Sequence, residues 1–348
     1  MNLAVLSIAF PFARVSPDSV GGAEQILSAL DQALVAGGQH SIVVAQEGSQ
    51  VAGKLIPMPR LNGTISELAR AEIWARYRTA INHVLSAHRI DVIHCHGIDY
   101  NHYLPRPGAP LLATLHLPIE WYAPDALVPR RPQTWLHGVS TVQRLAGQYV
   151  LPPIENGVPI ERLSARHGKR RFALILGRIC AEKGVHLAIL AAKKADIPLL
   201  IAGEVFSYGP HLRYFEDEVR PLLDSQRRFI GPIAFARKRR LLTAARCLLV
   251  PSVVAETSSL VAREALACGT PVIGFPNGAL TQVVEPGRTG FLVQSVEAIA
   301  RAIHDCDGLD PLLCRKAAAE RFSDRRMIGE YFMRYERLTQ RAHEQIAS

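Results

Sequence analysis

No Cys-x2-Cys pair occurs anywhere in the 348 residues, although six cysteines stand at positions 95, 180, 247, 268, 306 and 314. Neither a structural zinc site nor a disulfide framework is suggested by that spacing, and four of the six fall in or beside apolar segments, as small core residues do. Long apolar runs are also missing. The stretch from Leu3 to Phe12 is too short to span a bilayer, and no positive segment precedes it, so the expectation is a cytoplasmic protein. Low-complexity segments and short-period repeats are absent. The two densest basic runs, Lys169–Arg171 and Arg237–Arg240, contain no stacking aromatics, which argues against nucleic acid as a partner. They read as solvated surface, with a peripheral contact at the inner membrane face as the second reading.

What is present is an ordinary globular composition, 48% apolar and 20% charged, with a formal charge of +9 and a pI near 9.4. That balance suits an anionic substrate or an anionic surface. The length calls for two domains, each with its own core. Short apolar runs alternate with amphipathic stretches, the pattern of βαβ units and parallel sheets. Strands are expected at Leu3–Ala9, Ser41–Ala45, Asp91–His94, Leu111–Leu115 and Trp135–Val139. A second series runs through Phe172–Leu176, Leu199–Ala202, Cys247–Val250, Val272–Gly274 and Phe291–Val293. Helices are expected over Ala23–Ala36, Ile65–Ala87, residues 184–195, Leu260–Cys268 and the tail Ser323–Ala347, where Met327, Tyr331, Tyr335 and Leu338 keep helical spacing. Leu151–Pro159, with the basic run at 169–171 behind it, reads as a linker. Ligands belong at the C-terminal ends of such strands.

Chemistry concentrates in Glu256-Thr-Ser-Ser-Leu-Val-Ala-Arg-Glu264. The run Cys247–Val250 supplies a strand, Ser258 or Ser259 a helix cap, and Leu260–Cys268 the helix, so the two carboxylates straddle a strand–loop–helix junction. Free amides of the first turn suit a phosphate. Arg178 and Lys183 of Gly177-Arg-Ile-Cys-Ala-Glu-Lys-Gly184 leave a strand five residues apart and can both reach a diphosphate. Gly21-Gly22-Ala-Glu24 opens the first helix, where glycines let a ligand approach and Glu24 complements the dipole. His94, His96 and His116 stand at strand ends; the bland reading is that they satisfy loop carbonyls, and no third ligand at sensible spacing makes a zinc site. Asp305-Cys-Asp307 spells Asp-x-Asp but lies at a helix end beside Gly308, so it reads as a turn.

The Glu-x7-Glu element, the Arg-x4-Lys loop and Glu285-Pro-Gly-Arg-Thr-Gly-Phe-Leu-Val293 together resemble the retaining, family-four glycosyltransferases of the GT-B fold, over nearly the whole chain. The resemblance implies an α/β architecture of two Rossmann-like domains facing across a cleft. Residues 1–158 would form the acceptor domain, 159–322 the donor domain, and 323–348 a helix packing back on the first. It implies a sugar moved from a nucleotide-diphosphate donor, UDP- or GDP-linked, to an acceptor hydroxyl. Glu256 would contact the donor sugar and Glu264 the ribose, with Ser259, Leu260 and Val261 in the same donor loop. Arg178 and Lys183 would hold the diphosphate, Gly21 and Gly22 would lie over it, His116 would touch the donor sugar, and His94 and His96 would line the acceptor side. No cofactor or metal is expected, and transfer would be front-face, the departing phosphate helping to deprotonate the acceptor. Asn156-Gly-Val-Pro159 matches the family's linker. The family often carries an aromatic residue and a glycine where this chain has Ser258 and Ser259. An epimerase or phosphorylase of the same fold is one rival. A catalytically silent nucleotide-binding module that scaffolds glycan assembly is the other. Base, sugar, acceptor and oligomeric state are not readable.

Overall fold

The computed structural model describes residues 3–60, 66–165 and 167–347; of residues 343 and 345–347 only the backbone enters. The chain divides into two compact units, Met1–Glu155 with Arg326–Ser348, and Asn156–Arg325.

The first unit is built on a six-stranded parallel sheet. Its strands are β1 (Ala4–Ile8), β2 (His40–Gln46), β3 (Lys54–Met58), β4 (Val92–Cys95), β5 (Leu111–Leu115) and β6 (Thr134–Gly138), ordered β3-β2-β1-β4-β5-β6. The near-continuous apolar runs follow from burial on both faces, since helices cover each side of a parallel sheet. β4 and β5 are buried at every position. The first helix, Gly22–Ala36, packs Ile26, Leu27, Leu30 and Leu34 inward at helical spacing and stops at Gly37. The long helix runs Glu67–Ala87 with Ser66 capping it through the Ala69 amide. It starts two residues later than expected, and Ile65 lies outside the described residues.

The second unit repeats the plan. β7 (Ala173–Leu176), β8 (Leu199–Ala202), β9 (Arg227–Phe229), β10 (Cys247–Val250), β11 (Val272–Gly274) and β12 (Gly290–Leu292) form a parallel sheet ordered β12-β11-β10-β7-β8-β9. Two strands were not expected, β3 and β9. Both are edge strands: β3 carries Pro57, which only an edge tolerates, and β9 is three residues long with two arginines. β3 lies within the stretch 49–63, of which residues 61–63 lie outside the described residues. The two sheets with their helices are the α/β, GT-B arrangement.

The last helix spans Asp324–Ala347. Tyr331 and Tyr335, both fully buried, direct their hydroxyls to Thr114 and His94 inside the first unit. All six cysteines are buried and unpaired by disulfides. Asp305 closes a helix, Cys306–Gly308 continues as one 3-10 turn, and Asp307 pairs with Arg246 at 2.5 Å, so the Asp-x-Asp is a turn. Among the described residues, no helix is long and apolar enough to cross a membrane.

Candidate active site

In the second sheet the strand order reverses between β7 and β10, the point at which open parallel sheets bind ligands. A pocket opens there. With the solvent at its mouth it encloses about 330 Å³, and its polar lining is Arg178, Lys183, Ser252 and Glu256 over a floor of Ile175, Leu249 and Val250. Backbone geometry puts these side chains together. The Gly177 amide donates to the Ala202 carbonyl and the Ile179 amide to Glu204, which ties the phosphate-loop candidate to the end of β8. The Val253 amide donates to the Glu182 carbonyl at 2.9 Å, joining the same loop to the end of β10. Gly184 makes that approach possible: its φ is +62°, and a Cβ there would stand 2.2 Å from the Pro251 carbonyl oxygen.

Lys183 Nζ lies 2.6 Å from Glu256 Oε1, and the Ser252 hydroxyl donates to the same oxygen. Burial by itself would raise the Glu256 carboxyl. The Lys183 charge, the hydrogen bonds from Lys183 and Ser252, and the field of Arg178 outweigh it and hold the group below the usual carboxylate range. Glu256 is therefore an ionised, nearly buried acceptor within reach of two cations. Its backbone is held from the other side by Gly278, whose φ is +59° and whose added Cβ would meet the Glu256 carbonyl at 2.3 Å; the Ala279 amide donates to that carbonyl at 2.7 Å.

The second carboxylate sits apart from this pair. Glu264, in the helix Leu260–Ala267, is 4% exposed and accepts from Lys238 Nζ at 2.5 Å. Lys238 belongs to the basic run 237–240, so the reading of that run as solvated surface does not hold for it. Its ammonium also lies 5.5 Å from the centre of the Phe235 ring. Arg263, fully buried, donates to the Ser258 carbonyl and to the Asn156 carbonyl and stacks on Phe322, so the Asn156-Gly-Val-Pro159 segment anchors the loop between the two glutamates.

The expected serine cap is not formed. Ser259 occupies the capping position with φ +53° and ψ +61°, left-handed backbone, and its side chain makes no capping bond. From that conformation the hydroxyl does not reach the first-turn amides. The Ser258 and Ser259 hydroxyl oxygens are both buried and have no hydrogen-bond partner among the described residues. A glycine adopts this backbone at no steric cost, which explains the glycine the family often places here. Val261 lines the pocket, and Leu260 is the first helical residue.

In the first unit, His94, His96, His116 and His137 are all buried at the ends of β4, β5 and β6. His94 Nδ1 meets the Tyr335 hydroxyl and Nε2 the Thr114 hydroxyl, each at 2.7 Å; Thr114 meets His137 at 2.7 Å. Both nitrogens of His94 are thus engaged inside the unit and none of its surface is exposed. His96 Nδ1 lies 3.0 Å from His116 Nε2, and His96 Nε2 is buried without a hydrogen-bond partner among the described residues. Burial lowers all four imidazoles, His116 and His137 to about 3, and holds them neutral. At the first helix, Gly21 is the residue before the first turn, and a Cβ on it would stand 1.9 Å from a Glu24 carboxylate oxygen. Glu24 thus folds over Gly21 and complements the helix dipole.

The structure therefore joins Arg178, Lys183 and Glu256 around one pocket, and joins His96 to His116. Two residues of the second unit went unread in the sequence. Ser252 carries the weak signal of standing four residues before Glu256 in the same loop. Lys238 carries none, because its neighbours Arg237, Arg239 and Arg240 conceal it.

Residues 160–306 match the family described as glycosyl transferases group 1. Over 344 residues the chain is 26% identical to a phosphatidyl-myo-inositol mannosyltransferase of Mycobacterium leprae, covering 88% of this chain and 87% of the relative. Among solved structures it is similar to a sucrose-phosphate synthase from Thermosynechococcus elongatus, with a TM-score of 0.77 and 20% identity over 96% of this chain and 99% of the other. It is also similar to an Anabaena protein solved in complex with UDP and glucose, with a TM-score of 0.70 and 17% identity over 99% and 100%. At such identities the likeness to solved structures shows the fold.

Proposed function

We propose that the chain, with the GT-B fold and a match to the glycosyl transferases of group 1, is a family-four glycosyltransferase, and that it transfers a sugar, with retention of configuration, from a nucleoside diphosphate donor to an acceptor hydroxyl. The observation that carries this reading is the pocket between β7 and β10, where Arg178 and Lys183 stand over an ionised, buried Glu256. Two cations in the pocket suit a reaction whose leaving group gains charge on phosphate. Arg178 and Lys183 stabilise that charge without a metal, Arg178 by its planar fork and Lys183 as a point charge.

Donor binding exchanges partners at Glu256. Lys183 turns toward the phosphates, and Glu256 Oε1 accepts sugar hydroxyls in its place. Glu264, paired with Lys238, accepts from the ribose, while Ser259, Leu260 and Val261 border the donor at the start of their helix. In the first unit, His116, neutral and backed by His96, and the Gly21–Gly22 turn are the candidate substrate contacts. The acceptor hydroxyl is deprotonated by the departing phosphate on the same face of the sugar.

The M. leprae relative is named for a phosphoinositide acceptor, and the formal charge of +9 suits an anionic one. A hydroxyl of a phosphorylated or lipid-linked polyol is the acceptor class this supports. The Anabaena neighbour, solved with UDP and glucose, makes a UDP-sugar the first donor to try. The test is product analysis by NMR with UDP- and GDP-hexoses and an inositol phosphate acceptor. A glycoside with the donor's anomeric configuration supports the reading; an inverted product, or wild-type turnover in Lys183→Ala, overturns it. Bound nucleotide with neither transfer nor slow donor hydrolysis would favour a silent module.

A further inference from the structure

Beside the phosphate-loop candidate, three side chains of different chemistry converge. Cys180 and Glu182 lie on the loop between Arg178 and Lys183, and His211 on the helix Gly209–Tyr214. One ligand atom from each, a sulfur, a carboxylate oxygen and a ring nitrogen, lies within 4.8 Å of the other two. Cys180 is buried, and Glu182 and His211 are half-buried. No other group of three such residues meets this spacing among the described residues. The Nδ1 atom of His211 is buried and has no hydrogen-bond partner among them. The bond from the Ile179 amide to the Glu204 carbonyl fixes the loop against the segment that leads to His211.

We propose that Cys180, Glu182 and His211 bind one thiophilic divalent cation of the zinc type, leaving a fourth position to water. Sulfur with imidazole selects zinc over magnesium or calcium, which take oxygen donors. Around a tetrahedral zinc with bonds of about 2.0–2.3 Å the ligand atoms lie roughly 3.3–3.8 Å apart. The ligand atoms, all within 4.8 Å of one another, close to that spacing by side-chain rotation. Binding releases the thiol proton, so a thiolate and a carboxylate cancel the two charges of the ion. The neighbouring Arg178 then faces a neutral complex in place of a bare cation. The ion takes no part in the transfer proposed above. It ties the Arg178–Lys183 loop to the helix Gly209–Tyr214 and stiffens the loop that carries both cations.

The test uses the full chain freed of metal by chelation, titrated with zinc chloride against a chromophoric chelator and separately with cobalt chloride. One equivalent of zinc is expected to bind. Cys180→Ser and His211→Ala should each weaken it by more than the roughly 10- to 100-fold that loss of an outer-shell partner costs. Cobalt should give a thiolate-to-metal charge-transfer band that Cys180→Ser removes, and zinc should raise Tm in the wild type but not in the variants. If Cys180→Ser does not fold, His211→Ala and Glu182→Gln carry the comparison. No saturable binding at one equivalent, binding that survives the substitutions, or a cobalt spectrum without the thiolate band overturns the assignment.

Discussion

Acid should destabilise the first unit far more steeply than its surface charge would suggest, and the four neutral histidines set the size of the effect. His116 and His137 are lowered by burial from the ordinary 6.5 to about 3. Between those limits the unfolded chain binds more protons than the folded one, so stability is full above 6.5 and falls as pH drops toward 3. From pH 7 to pH 5 each of the two loses about 2 kcal/mol, about 4 kcal/mol together, and His94 and His96 push the same way. Asp99, whose carboxyl burial raises, pulls in the opposite direction and is one group against four. A loss of about 4 kcal/mol is a large share of the roughly 5–15 kcal/mol that holds a domain. The three tryptophans, Trp74, Trp121 and Trp135, all lie in the first unit, so tryptophan fluorescence reports it alone. With a urea slope of about 2 kcal/mol/M the midpoint should fall by about 2 M between the two pH values. A midpoint that moves by less than about 0.5 M would refute the buried, neutral histidine cluster.

Other perturbations probe the second unit. Ser259→Gly removes a side chain from left-handed backbone and should stabilise the unit by about 1 kcal/mol in thermal denaturation; a loss of stability would show that the serine contributes something the backbone strain conceals. Gly278→Ala drives a Cβ into the Glu256 carbonyl and should cost at least ~2 kcal/mol, read as a lower Tm. Lys183→Met strands the Glu256 charge and should cost about 3 kcal/mol, most of it recovered in the double variant with Glu256→Gln; additive losses in that cycle would mean the two groups are not coupled.

Much of this was legible beforehand because parallel sheets write themselves as apolar runs. The central strands, from Leu111–Leu115 to Cys247–Val250, could be read to within a residue or two, and so could the helices that follow them. The edge strands could not, since Pro57 and the arginines of β9 answer to solvent on one side. In the site, Arg178, Lys183 and Glu256 were readable as types at a spacing, but their convergence depends on Gly184 and Gly278, whose left-handed backbone no periodicity signals. The capping role of Ser259 was misread for the same reason: a serine at that position normally caps, and only the φ angle shows that this one does not. Lys238 and the partners of His94 arise from side chains 20 to 241 residues apart in the chain. Such pairings come from the topology, not from local pattern.

The most direct measurement of the central claim is thermal stabilisation of the purified protein by UDP, GDP and ADP, with Glu264→Ala beside the wild type. The account predicts that one nucleotide raises Tm clearly and that the shift disappears in the variant, placing the donor between the two glutamates of the second unit. No shift with any of the three, or a shift that Glu264→Ala leaves intact, would contradict it.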